Sequence, residues 1–240
     1  MLKRRLFLLL AVLLPLLGFA QAKSVPYFSQ IGGTSKLDAD WTVYNVNGDE
    51  KTWINDASPS TYSSISAVKV TAGAKYLYNT NADANDWLVS PAIHLEADKE
   101  YKVSFYVKTS GSFKESLRLA VANANTADAM ATKSETLLDF PELIEKTFVK
   151  KSVVYVARES GDYYFGLYEY SKKDLYNVFV TAFSVAENIT TPAPVTGLTA
   201  TEGANEAITV DLKWTLPTKD EDRKDLPTPL TAVEVYRDGT

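Results

Sequence analysis

The sequence predicts an all-β fold built as a sandwich, and two observations carry that prediction. Tyr101, Val103, Phe105 and Val107 alternate with Lys102, Ser104, Tyr106 and Lys108, the period-two signature of a strand with one buried face. Comparable segments recur along the chain between clusters of Asn, Asp, Gly and Ser, the spacing of short strands and turns in all-β domains. The chain has no cysteine among its 240 residues. It is long enough to bury a core without disulfides, and it offers no thiolate metal site and no thiol nucleophile.

Taken in order, the first residues read as a secretory signal peptide (1–22). Lys3, Arg4 and Arg5 precede an apolar run from Leu6 to Leu17, broken only by Pro15, and Ala20-Gln21-Ala22 supplies small residues at the cleavage position. The run is shorter than the roughly 20 residues of a spanning helix. With no cysteine after it, a lipoprotein anchor is excluded, and no second apolar run of spanning length follows, so the mature chain is expected to have no membrane span. Loss of the three basic residues takes the formal charge from −5 to −8. That balance argues against nucleic acid, which is bound by clustered Lys and Arg, and against anionic membrane surfaces.

Strands are expected at Val43–Val46, Ser64–Val70, Lys75–Tyr78, Trp87–Leu95, Tyr101–Val107, Ser116–Ala122, Thr147–Ala157, Asp162–Tyr170 and Tyr176–Ala186. Short helices are expected at Asn125–Lys133 and Pro141–Lys146. The segment Thr190-Thr191-Pro192-Ala193-Pro194 reads as a proline-rich linker, because proline holds the chain extended and blocks strand pairing. Beyond it, Val195–Thr201, the alternating Ile208, Val210, Leu212 and Trp214, and Thr231–Arg237 read as three more strands. The last runs into the turn signal Asp238-Gly239.

The segment 195–240 resembles the start of a fibronectin type III domain. Pro194-Val195 with Gly197-Leu198-Thr199-Ala200, Leu212-Lys213-Trp214 and Val233–Thr240 carry the likeness. The resemblance implies an incomplete immunoglobulin-like sandwich with Trp214 in its core, and a natural chain that continues or has been cut short. The segment 23–189 resembles the cleaved-adhesin family, the jelly-roll modules of gingipain-type haemagglutinins and other surface proteins of Bacteroidetes. The matching residues are Asn47-Gly48-Asp49 with Trp53, Asn85-Asp86-Trp87-Leu88-Val89-Ser90-Pro91, Tyr101–Phe105, Tyr163–Gly166 and Val178–Val185. This likeness implies a jelly-roll β-sandwich. It also implies a calcium site on an Asp-rich loop, where this chain offers Asn45, Asn47 and Asp49, together with Asn177 in the closing strand pair. Amides in place of carboxylates keep oxygen donors but lower the charge that attracts calcium; the plain alternative is a turn whose Asn and Gly take left-handed geometry.

No catalytic constellation emerges. His94 is the only histidine, no HExxH or Gly-x-Ser-x-Gly motif accompanies it, and it reads as a surface residue. The nearest carboxylate pairs, Glu96 with Asp98 and Glu142 with Glu145, read as solvated faces rather than as a glycosidase pair. Aromatic residues near Asn- and Asp-rich loops remain. Tyr168, Tyr170 and Tyr176, with Trp53, are the candidate ligand-binding residues, weighed against the common burial of rings at sandwich ends. The expected role is a secreted or cell-surface, non-catalytic binding module for a glycan or host protein. The alternative is an accessory region of a larger secreted peptidase or glycosidase.

Overall fold

The structure is a computed structural model that describes residues 21–189, 192–203, 210–220, 225–226, 230 and 235. The body of the expected signal peptide (1–20), Thr190-Thr191 of the linker, Ile208, most of Thr231–Arg237 and the Asp238-Gly239 turn lie outside the described residues. The chain divides into two compact units, Met1–Glu187 and Asn188–Thr240.

The first unit opens with β1 (Tyr27–Ser29), β2 (Thr42–Asn45), β3 (Trp53–Asp56), the short helix α1 (Pro59–Tyr62), β4 (Gly73–Tyr76), β5 (Asp86–Val89) and β6 (Ile93–Leu95). It continues with β7 (Glu100–Thr109), β8 (Glu115–Ala122), α2 (Ala127–Thr132), β9 (Glu135–Leu143), β10 (Val149–Val156), β11 (Gly161–Glu169) and β12 (Val178–Glu187). One six-stranded sheet has the order β10-β7-β12-β4-β3 with β1 also on β12, and the other has the order β2-β5-β11-β8-β9 with β6 also on β11. Both are antiparallel. They pack face to face as a jelly-roll sandwich.

Alternation decides the core. Val103, Phe105 and Val107 of β7, Leu117 and Leu119 of β8, and Phe165 and Leu167 of β11 are fully buried between the sheets. In β12 the parity changes at a bulge between Thr181 and Ser184, where Ala182 has φ +51°. Val178 and Val180 point inward before it and Phe183 and Val185 after it. One extra residue shifts every later side chain to the other face.

Several expectations hold and others are corrected. The Asn125–Lys133 helix is present as α2, with Thr126 Oγ1 accepting from Ala129 N at 3.1 Å as an N-cap. Trp87–Leu95 is two strands, because Pro91 lacks the N–H a continuous ladder needs. Ser90 bridges the break: its N–H donates to Phe165 O at 2.9 Å and its hydroxyl accepts from Phe165 N at 3.0 Å. Ser64–Val70 is not a strand; it follows α1 as turns that lay Ile65 and Val70 on the outer face of the first sheet, beside Ala182. Pro141–Lys146 is not a helix. Glu135–Leu143 pairs with β8 instead, and Pro141 is tolerated because β9 is an edge strand.

In the second unit, β13 (Thr196–Glu202) pairs antiparallel with β14 (Val210–Thr215). Trp214, expected in a core, is only half-buried and Leu212 is exposed among the described residues. Two strands do not bury both faces of a hairpin.

Candidate functional site

The register of the second sheet brings five side chains into one row across its outer face. Tyr44 of β2 pairs with Trp87 of β5, Trp87 with Tyr168 of β11, Tyr168 with Arg118 of β8, and Arg118 with Asp139 of β9. Cross-strand partners in antiparallel sheets share a face, so residues far apart in sequence become a contiguous surface. Trp87 and Tyr168 stack with centroids 4.4 Å apart, and Tyr168 stacks on Tyr170 at 5.4 Å. The Arg118 guanidinium lies 6.0 Å from the Tyr168 ring and 5.2 Å from that of Tyr170.

Asp139 closes the platform, accepting from Arg118 at 3.0 Å and from the Tyr170 hydroxyl at 2.5 Å. Burial pulls the Asp139 carboxyl upward, but the hydrogen bonds from Tyr170 and Arg118 outweigh it and hold the group below its ordinary value. Burial, then the same carboxylate, pushes the Tyr170 phenol up to about 12. The Tyr168 hydroxyl donates to Asn85 Oδ1 at 3.0 Å. Both rings are half-buried, with their hydroxyls tethered at the edges. The other half of this face lies under α2, whose Met130 packs on Trp87. Gly166 permits that approach: a Cβ there would lie 2.8 Å from both Met130 Sδ and Trp87 Cε3.

Tyr168 and Tyr170 therefore sit together as expected, and Tyr176 does not join them. Tyr176 is the middle ring of a separate stack, 5.1 Å from Tyr78 and 5.5 Å from Phe113. Trp53 is corrected to core: it is 2% exposed and packs edge-on against Tyr76 at 5.6 Å. Arg118 and Asp139 were not legible in the sequence. Each is one polar residue in an alternating strand, and only the β8–β9 and β8–β11 registers unite them with the rings.

The loop expected to hold calcium is closed by its own amides. Asp49 Oδ2 accepts from Asn47 Nδ2 at 3.0 Å and Asn79 Nδ2 at 2.9 Å, and Asp49 Oδ1 accepts from Lys51 N at 2.7 Å. Asn45 Oδ1 accepts from Gly48 N at 2.8 Å, and Asn45 Nδ2 donates to Asp49 O. Gly48 takes φ +67°, the left-handed geometry of the turn reading. Amide N–H groups thus face the Asp49 carboxylate in this arrangement, and a calcium ion there would need Asn47 and Asn79 to turn their oxygens to it instead. Asn177 Oδ1 is buried without a partner, and among the described residues no three His, Asp or Glu side chains converge as metal ligands.

The sandwich interior holds carboxylates that the sequence reading passed over. Asp86, Glu115 and Glu169 are fully buried. Tyr76 donates to Asp86 at 3.2 Å, Tyr176 N donates to Glu115 at 2.7 Å, and Ser171 donates to Glu169 through both N–H and hydroxyl. One oxygen of each carboxylate meets no donor. Burial raises all three above the ordinary carboxylate range, Glu169 furthest. Their signal was parity: Glu115 and Glu169 sit at inward positions of alternating strands. The exposed carboxylates read as solvated do lie at the surface in ion pairs, Glu96 with Lys99 at 2.9 Å and Glu142 with Lys114 at 2.8 Å. His94 is exposed and meets Asp162 at 2.9 Å.

No family model and no curated protein matches the chain. Solved structures do. The K1 cleaved adhesin domain of Lys-gingipain from Porphyromonas gingivalis W83 aligns with a TM-score of 0.52 at 16% identity, over 68% of this chain and 99% of that domain. The K2 cleaved adhesin domain of Lys-gingipain aligns with a TM-score of 0.50 at 14% identity, over 68% and 98%. At such identities the likeness is one of fold, and the fold it shows is the jelly-roll sandwich of the cleaved adhesin domains.

Proposed function

We propose that the chain is an exported, non-catalytic binding module that takes a glycan on the outer face of its second sheet. One observation carries this reading: Tyr168 and Tyr170 form a stacked pair at 5.4 Å, flanked by an Arg118–Asp139 pair at 3.0 Å. Rings present an apolar surface to the C–H face of a pyranose, while the guanidinium and carboxylate meet hydroxyls. Because Arg118 and Asp139 neutralise each other, the platform suits a neutral sugar. Its rings are held by fixed strands and tethered hydroxyls, so little side-chain entropy is lost on binding. The likeness to adhesin domains supports a surface or secreted setting, as does the basic-then-apolar N-terminus. Among the described residues no helix is long and apolar enough to cross a membrane. The fibronectin type III reading of the second unit belongs to the same proposal, as a spacer that follows the binding module in the chain.

A glycan array of the full chain, followed by titration of the leading hit, tests the site. Tyr168→Ala with Tyr170→Ala should weaken binding at least about tenfold, which is about 1.4 kcal/mol. An array with no hit, or a hit that the double variant binds unchanged, overturns the assignment.

A further inference from the structure

The outer face of the first sheet has a different character. Register aligns Ile54 of β3, Lys75 of β4, Phe179 of β12 and Lys108 of β7 in one row. Phe148, just ahead of β10, closes the end of the row, stacked on Tyr62 of α1 at 5.3 Å. The Lys75 ammonium lies 5.6 Å from the Phe179 centroid, and that of Lys108 lies 5.5 Å from Phe179 and 5.9 Å from Phe148. Cation and ring alternate from strand to strand. Neither lysine has a carboxylate within ion-pair distance among the described residues, whereas Lys99, Lys114, Lys151 and Lys172 all do.

Strand parity places Lys102 and Lys150 on the same face. The carboxylates it places there are Asp56, which accepts from the Tyr62 hydroxyl at 3.2 Å, and Glu100 at the far end of β7. The balance on this face is therefore positive in a chain whose formal charge is −5. Lysines kept on a sheet for solubility alone have no reason to alternate with rings in a single row.

We propose that this face docks an extended acidic polysaccharide. Phe179 offers a stacking surface for a sugar ring, and Lys75 and Lys108 receive carboxylate or sulfate groups on either side. The two lysines stand two strands apart, roughly 10 Å, so they meet charges on separated sugar units of an extended chain rather than two charges of one unit. A flat row, rather than a cleft, suits a polymer lying across the strands. Docking exchanges weak cation–π contacts for charge-assisted ones and releases counterions from the polyanion, so affinity falls as salt rises. The site lies on the opposite sheet from the Tyr168–Tyr170 platform and does not depend on it.

Chondroitin sulfate and hyaluronan are the probes, with dextran as the neutral control, titrated against the full chain at low and at physiological salt. Binding of at least one acidic polymer, weakened by salt and lost about tenfold or more in Lys75→Gln with Lys108→Gln, is the expected result. Phe179→Leu, which keeps the apolar bulk but removes the ring, should weaken binding several-fold. Near-UV circular dichroism establishes that each variant is folded. Lys36→Gln with Lys133→Gln removes the same charge elsewhere, and Tyr168→Ala with Tyr170→Ala disables the other face; both should bind as the parent does. Three results each overturn the proposal: no acidic polymer bound at low salt, an equal loss in the Lys36 and Lys133 control, or preference for polyglutamate over both polysaccharides.

Discussion

Replacing Glu169 by glutamine should make the protein progressively more stable than its parent as pH rises. Glu169 is fully buried, accepts only from Ser171, and leaves Oε2 without a donor beside two other buried carboxylates, Asp86 and Glu115. Burial raises its folded pKa well above that of the unfolded chain. Between those two values the folded state binds the extra proton, so stability is fully present below about 4.3, the unfolded value, and is lost as pH climbs through the folded one. Each unit of separation removes about 1.4 kcal/mol, and each kcal/mol moves Tm by about 2–4 °C in a domain of this size. Glutamine has the shape of the protonated acid and does not ionise. Thermal melts of parent and Glu169→Gln in pH steps from the acid range to slightly alkaline should therefore give a Tm difference that is constant at low pH and widens in favour of the variant above it. Taking the difference cancels carboxylates such as Asp83 and Asp139, which are depressed and act in the opposite direction. A difference that stays flat across the series would refute the assignment of a neutral, buried Glu169.

Four further outcomes follow from the same geometry. Trp53→Ala should cost about 3–5 kcal/mol by urea titration, because the residue fills the core; a stable variant that merely lost ligand would return Trp53 to the binding site. Gly166→Ala should cost about 1–3 kcal/mol through overpacking against Met130 and Trp87, and unchanged stability and tryptophan fluorescence would count against the contact with α2. Melts in calcium and in chelator should coincide, since Asn47 and Asn79 turn N–H groups rather than oxygens to Asp49; a rise of several degrees with calcium would restore the metal reading. Tyr170→Phe should cost up to about 1 kcal/mol at neutral pH in this solvent-screened pair. The Asp139 carboxyl is held low, so that cost should fade as pH falls from about 3.9 through the folded value. An equal cost in strong acid would separate Tyr170 from Asp139.

The sandwich was legible because alternation records which residues face a core. Val103, Phe105 and Val107 announce a buried face without reference to any partner strand, and each is fully buried. Where local pattern and tertiary context compete, context wins. Pro141–Lys146 has helix-compatible residues, yet Leu138 and Phe140 just before it pair with Leu119 and Leu117, and the chain stays extended to Leu143. Ile65 and Val70 have the composition of a strand, but they cover the outer face beside Ala182 and pair with nothing.

The sites were legible only in part, for a related reason. Parity shows that Tyr168 and Tyr170 share a face, and they do stack. It does not show what stands beside them, since Arg118 and Asp139 reach the row through hydrogen-bonded registers spanning the sheet. Parity is equally silent on which outer face stays open. The second sheet is half covered because Gly166 admits Met130, and the first is half covered because Tyr62, Ile65 and Val70 fold over it. What remains open is part of one row on each side, Tyr168, Tyr170, Arg118 and Asp139 on one, tyrosine-rich and locally neutral, and Lys75, Phe179 and Lys108 on the other, cationic. A single-residue slip in β11 would turn Tyr168 and Tyr170 inward, and one in β12 would do the same to Phe179. The bulge at Ala182, which lets both Val180 and Phe183 reach the core, therefore fixes the second binding row as firmly as it fixes the fold.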